Sequence, residues 1–306
     1  MFMLCAKSMK YIALLSFGIT SCDVYQPHTS ESGRFFFSND SSENYSFFID
    51  NKLMVIPKAS VGSLYLKQGL HSMTTEEGQH IYFMIYPGNK GGILNPQKHL
   101  YYSYSFVYGN NGIPSVHNQT IQELTVGEYQ VKGRVESSDD IIIDNNVFNC
   151  DYPVGTRIPD ELNSLTTVSK IKTKCFSYSE LITAISSDDK QMTQLVVRQN
   201  EPVQNNTVSL TFDYPVTLPA FEDQQIQQYA VKVNTLIQAY RGSADPEKKQ
   251  NFYNQYHVAV SNMAERYSQW ETGDNCLEER QKYLQFLSQT AAIFSAGVLK
   301  LDVTPK

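Results

Sequence analysis

What is scarce in this sequence narrows the field first. Only 18% of its residues are charged, and 31 acidic against 25 basic side chains leave a formal net charge of −6. There is no basic cluster. The nearest approach is Ser169–Cys175 (SKIKTKC), where lysines alternate as on one face of a strand. Holding a nucleic acid requires many neutralised phosphates, so this balance argues against nucleic acid as a partner. The apolar run Tyr11–Ile19 is far short of the ~20 residues that span a bilayer as a helix. Gly-x-Ser-x-Gly is absent, and so are tandem repeats and low-complexity tracts. The lysine of the glycine-rich Tyr86–Pro96 (YPGNKGGILNP) is followed by glycines rather than Ser or Thr, so it reads as a long turn and not as a phosphate loop.

What is abundant is aromatic: 20 Tyr and 16 Phe, which suit strands and a well-filled core. RFFFS (Arg34–Ser38), NYSFFI (Asn44–Ile49), KLMVIP, GSLYLKQG and GEYQVKGRVE are short runs separated by turn residues. HIYFMIYPG, apolar throughout and closed by Pro-Gly, reads as a central strand. LYYSYSFVYGNNG places Leu100, Tyr102, Tyr104, Phe106 and Tyr108 on one face. Tyr101 falls on the other, where it is a candidate for stacking on sugar rings beside Asn110 and Asn111. TVSLTFDYPV puts Val208, Leu210, Phe212 and Tyr214 in phase. Short strands at this spacing predict an antiparallel β-sandwich over 34–218. One helix near 178–187 interrupts it, opened by the capping box Ser177–Glu180.

The period changes near residue 219. Ile226, Ala230, Val233, Ile237 and Tyr240 recur at helical spacing, and Gly242 ends the stripe. Asp245-Pro246 opens a second helix as N-cap and first-turn proline, with Phe252, Tyr256, Ala259, Met263, Tyr267 and Trp270 on its apolar face. Asn275 with Glu278 opens a third, faced by Leu284, Leu287, Ala291 and Phe294. The fold class expected is therefore α+β: an antiparallel β-sandwich followed by a C-terminal three-helix module at 219–306. The narrow seam of the first helix suits a two-helix contact, so Val233, Ile237 and Tyr240 are expected to form a surface for a protein partner.

The N-terminus carries the most specific signal. Lys10 supplies a positive charge, Tyr11–Ile19 an apolar core, and Ile19-Thr20-Ser21 lead into Cys22; this is the layout of a signal peptide over 1–21, with Met9 a credible start. Ile19-Thr20-Ser21-Cys22 resembles the bacterial lipobox. The resemblance implies that Cys22 is acylated and becomes the first residue of a lipoprotein held on the bilayer, on the periplasmic or extracellular side. Asp23 resembles the enteric signal for inner-membrane retention. Residues 22–33 then read as a polar tether.

In an oxidising compartment Cys150 and Cys175 close the shortest loop and can pair; the alternative is that these two and Cys276 are small buried apolar residues. His71, Glu76, Glu77 and His80 are the candidate metal ligands, although no zinc spacing is met and Gly78 argues for a hairpin turn. Asp139, Asp140 and Asp144 are hard oxygen donors without a calcium-loop spacing; they read as a charged strand edge. No cofactor is implied. The expected function is a non-catalytic scaffold or binding lipoprotein of the cell envelope. The alternative is a periplasmic hydrolase or glycan-binding module whose site is assembled from distant residues, betrayed by convergent polar groups with perturbed titrations.

Overall fold

The computed structural model describes residues 32–108, 114–115, 122–158, 171–187, 196–198, 209–214, 216–243, 245–270 and 276–301. The described residues begin with β1 (Ser32–Asn39), β2 (Tyr45–Ile49), β3 (Lys52–Ile56), β4 (Ser60–Lys67), β5 (Gly69–Thr74), β6 (His80–Ile85) and β7 (Gly92–Leu94). Asp50 and Asn51 join β2 to β3 with both φ angles positive, 49° and 62°, the two-residue turn whose twist suits a hairpin. There follow β8 (Tyr101–Tyr108), β9 (Pro114–Ser115), β10 (Gln122–Val126), β11 (Tyr129–Gly133), β12 (Val135–Ser138) and β13 (Ile142–Asp144). The remaining elements are α1 (Asn145–Phe148), β14 (Ile171–Ser177), α2 (Tyr178–Ser186), β15 (Val196–Arg198), α3 (Gln224–Arg241), α4 (Pro246–Trp270), α5 (Cys276–Ser295) and β16 (Val298–Leu301).

The class is α+β, with several antiparallel sheets and C-terminal helices, and among the described residues the strands are not gathered into the two sheets of a single sandwich. They divide among four sheets, ordered β13-β7-β1-β4, β16-β6-β5-β2-β3, β12-β8-β14 and β10-β11-β15. Among the described strands one pair is parallel: β1 with β7. The short β7 slots in because Gly91 leaves room. A Cβ there would sit 1.9 Å from the Arg34 carbonyl oxygen, and its φ of +81° is open to glycine.

The first two sheets face each other across Phe35, Phe37, Leu66 and Leu94 on one side and Phe47, Ile56, Met73, Ile81, Phe83 and Ile85 on the other. β6 is apolar on both faces because both are covered: Ile81, Phe83 and Ile85 enter this core, while Met84 enters a second core beneath the helices. The other two sheets and α2 enclose Tyr102, Tyr104, Phe106, Val131, Phe176, Leu181 and Ile185. A fourth cluster joins the halves through Ile93, Tyr101, Ile143, Phe148, Cys175 and Phe212. Tyr101 is thus buried, its hydroxyl 2.8 Å from Ser38 Oγ, and no stacking platform exists there. Asn110 and Asn111 lie outside the described residues. The extended Ser209–Tyr214 is a ribbon rather than the expected strand: beyond one bridge at Ser209, its Phe212 amide is taken by the Asp140 side chain instead of a neighbouring strand.

Local signals at helix ends hold with two changes. Ser177 caps α2 on the Glu180 amide, but the Glu180 carboxylate does not return to Ser177; it accepts from the buried Lys174 ammonium at 2.7 Å and from the Gly155 amide. Asp245 Oδ1 accepts from the Glu247 and Lys248 amides at the start of α4. Asp223, which the pattern of apolar residues does not reveal, caps α3 on two amides and also receives the Arg266 guanidinium of α4, which holds its carboxyl down to about 2. Asn275 lies outside the described residues.

The helices correct three expectations. Val233 and Ile237 are 0% exposed and Tyr240 is 9% exposed, all in one core with Tyr256, Ala259 and Met263 of α4 and Met84, Tyr86 and Leu299 of the sheet. The narrow stripe is interior, so it offers no partner surface. α5 is turned by one residue from the expected face: Tyr283, Phe286, Thr290 and Ile293 are buried while Leu284 is 54% exposed. The aromatic contacts decide this, since Tyr283 stacks on Tyr267 at 4.1 Å and Phe286 meets Phe221, and the Thr290 hydroxyl is satisfied by Tyr256 at 3.1 Å. Finally, the segment expected as a three-helix module at 219–306 is not helical throughout: β16 follows the helices and pairs with β6, Val298 opposite Ile85.

Candidate functional site

The residues singled out as metal ligands are dispersed. His71 pairs across the hairpin with Phe83, and His80 with Thr74, so the two side chains leave on opposite faces. The His71 ring bridges Asp50 Oδ2 at 2.7 Å and the Lys67 carbonyl at 2.8 Å and stacks on Phe83. His80 Nδ1 meets Thr74 Oγ1. Glu77 accepts from the Tyr45 hydroxyl at 3.3 Å and is lowered by its own backbone amide and the Thr75 hydroxyl. Among the described residues no three His, Cys, Asp or Glu converge on one point. His71, Glu76, Glu77 and His80 are hairpin residues, as Gly78 suggested.

Cys150 and Cys175 are joined by a disulfide, with Cα atoms 5.4 Å apart. The bond closes a loop of sequence separation 25, which restrains the unfolded chain by about 3 kcal/mol on the entropy account. Cys175 is fully buried, and the neighbouring Lys174 ammonium donates to the Pro153 and Cys175 carbonyls as well as to Glu180. Of the SKIKTKC lysines, Lys172 pairs with Asp151 and Lys174 is interior; neither belongs to a basic patch.

A polar constellation lies where the first sheet, the 209–214 ribbon and β16 meet. Asp144 ends β13, fully buried. Its Oδ1 caps α1 on the Asn146 amide at 3.0 Å, and its Oδ2 accepts from the Gly297 amide at 2.7 Å and the Val298 amide at 3.4 Å. Burial pushes its carboxyl up to about 6, against the pull of those three amides. Asp140 accepts from the Phe212 amide and is also raised, chiefly by burial. Tyr214 has a buried hydroxyl with no hydrogen-bond partner among the described residues; burial, and then Asp144 and Asp140, push it up. Arg241 ends α3 with 7% exposure and donates to the Asp213, Tyr214 and Lys300 carbonyls. Lys300 pairs with Asp213. A small cleft between them is lined by Asp140, Ile142, Phe212, Asp213, Val298 and Lys300.

Two raised carboxyls beside basic groups are the raw material of acid–base chemistry. Here their lone pairs are occupied by backbone amides, and the arrangement ties the C-terminal strand and the ribbon to the sheets. Asp144 is therefore a buried clamp rather than part of a solvated edge, Asp140 is a half-buried tie, and Asp139 is exposed as a charged edge residue would be, its carboxylate accepting from the Ser209 hydroxyl. Reading the sequence missed Arg241 and Lys300 as members. The one available signal was Arg241 immediately following the apolar stripe at a helix end.

Lys249 is the second unusual group. It sits in the first turn of α4 at 4% exposure, its ammonium on the face of the Tyr86 ring and 4.8 Å from the centre of Tyr240. It has no hydrogen-bond partner among the described residues, and burial brings it down to about 7. Its folded value lies below the ordinary 10.5. The unfolded chain therefore holds the extra proton between the two values, and stability rises with pH across that window. Below it the full cost of the buried charge remains, offset in part by the rings. Lys249→Met is expected to stabilise the protein at neutral pH by about 2 kcal/mol and to remove the alkaline rise. Urea titrations at neutral and alkaline pH check both, and a destabilised Met variant would show the amine to be needed.

No protein-family model, no curated protein and no solved structure matches the chain.

Proposed function

We propose that this chain is a cell-envelope lipoprotein, anchored through acylated Cys22, whose sheets form sandwich-type layers under a helical cap and which acts as a non-catalytic scaffold or binding protein. The observation that carries the reading is Ile19-Thr20-Ser21-Cys22 behind Lys10 and a short apolar run. Two features of the body support it. The Cys150–Cys175 disulfide suits an oxidising compartment. Three titratable groups, the buried Asp144 and Lys174 and the half-buried Asp140, are engaged by main-chain partners in the manner of structural ties. The partners under this reading are the lipid bilayer and another envelope protein. Because Val233, Ile237 and Tyr240 are interior, that protein must meet the chain elsewhere.

Growth of expressing bacteria with a clickable palmitate analogue tests the anchor. Wild-type protein is expected to incorporate label, and Cys22→Ser to lose it and leave the membrane fraction. Equal labelling of the two would overturn the reading.

A further inference from the structure

The outer face of the β16-β6-β5-β2-β3 sheet is only half covered. The helices close it over Met84 and Leu299, but at the far side Phe48, Leu53 and Leu70 are 42%, 53% and 42% exposed. These three share one face: Phe48 lies opposite Leu53, and Leu70 follows Thr74, the other partner of Phe48, at even spacing along β5. They also gather near one end of the sheet. Asp50 at the β2–β3 turn bonds the Ser72 amide, and His71 bridges Asp50 to the Lys67 carbonyl. Lys67 in turn is the register partner of Ser32, the first residue of β1. The hairpin tip, the start of β5 and the entry of the N-terminal chain therefore occupy the same corner.

That corner has the chemistry of a bilayer contact. Exposed Lys52 and Lys67 share the corner, Lys52 at the β2–β3 turn next to Leu53 in the chain though in register with Ile49, and Lys67 at the end of β4, and the carboxylate at the tip, Asp50, is engaged by His71. Apolar side chains ringed by lysines suit an interface with anionic headgroups. Nine residues separate Ser32 from Cys22, so an anchored cysteine cannot lie farther than about 35 Å away even with the intervening chain fully extended. We propose that Phe48, Leu53 and Leu70 rest in the headgroup layer of the membrane, with Lys52 and Lys67 on its phosphates, so that the body is held down by this face as well as by the tether. The orientation rests on the reading of Cys22 as the anchor. The opposite end of β3, followed two residues on by exposed Lys58, then points away from the lipid.

The test places a tryptophan near the start of β3 and another just beyond its end in the full chain, Leu53→Trp and Lys58→Trp, with Trp270 emission of the wild type as background. Both positions are exposed, so neither substitution disturbs a core. Each protein is reconstituted in phosphatidylethanolamine–phosphatidylglycerol vesicles brominated near the headgroup, and palmitate-analogue incorporation is read on the same preparation. Insertion ~5–10 Å into the headgroup boundary should quench Leu53→Trp by about half or more and leave Lys58→Trp at background. Quenching of Leu53→Trp without palmitate label would support the face while removing the anchor. Label without preferential quenching at Leu53 overturns the face and leaves the anchor standing. Absence of both overturns both. Equal quenching at the two ends also overturns the orientation. An unquenched Leu53→Trp with doubled mass in solution assigns the face to a second copy and overturns the proposal.

Discussion

Ile237→Asp is expected to unfold the helical layer rather than to abolish a binding event. Ile237 is fully buried between α3, α4 and the sheet. Its loss as an apolar group costs about 2–3 kcal/mol, and a carboxylate without a partner in its place adds several more. The sum is comparable with the whole ~5–15 kcal/mol stability of a domain. The loss propagates, because the helices pack on Met84, Tyr86 and Leu299 and the chain returns to the sheet as β16. A large fall in the thermal midpoint with loss of helical circular dichroism is the expected result. Ile237→Val, which trims one methylene, should cost only about 1 kcal/mol. An Ile237→Asp protein with an unchanged midpoint would show the stripe to be free and restore it as an interaction surface.

Asp144→Ala is the second large effect. Three backbone donors, on Asn146, Gly297 and Val298, lose their acceptor in the interior. Each orphaned amide costs about 1–3 kcal/mol, so a total near 3 kcal/mol or more is expected, concentrated on the union of β13 with the segment entering β16. The pH dependence gives a separate signature. The carboxyl sits at about 6 in the fold against an ordinary 3.8. The folded protein keeps its proton where the unfolded chain has lost it, so wild-type stability falls as pH rises from about 4 to 6. The variant lacks that slope, and its deficit against wild type is therefore larger at pH ~5 than at pH ~7, by about 1 kcal/mol or more. Urea titrations at the two pH values decide. A deficit independent of pH would mean that Asp144 is ionised throughout, and no deficit would mean that β16 is held without it.

Much of the local structure was legible from residues alone. Alternation marked β8 and β11, the apolar run Ile81–Tyr86 closed by Pro-Gly marked β6, Ser177 and Asp245-Pro246 marked two helix starts, and the short loop between Cys150 and Cys175 marked the pair that is bonded. These are readable because capping, proline geometry and side-chain period act over a few residues. Periodicity states which face of an element is apolar; it does not state what covers it. The α3 stripe would look the same under a partner as under α4 and Tyr86, and only the tertiary structure decided for the interior. On α5 the leucine face and the aromatic face differ by one position, and the stacking of Tyr283 on Tyr267 chose between them. The polar clamp was out of reach for a further reason. Asp144 and Gly297 are separated by 153 positions, and a bond between a side chain and a distant main-chain amide leaves no pattern in either stretch. The same holds for Lys249 and Arg241, ordinary surface residues by composition: Lys249 becomes interior where α4 sets it on the Tyr86 and Tyr240 rings, and Arg241 where the ribbon and the last strand bring the Asp213, Tyr214 and Lys300 carbonyls to it.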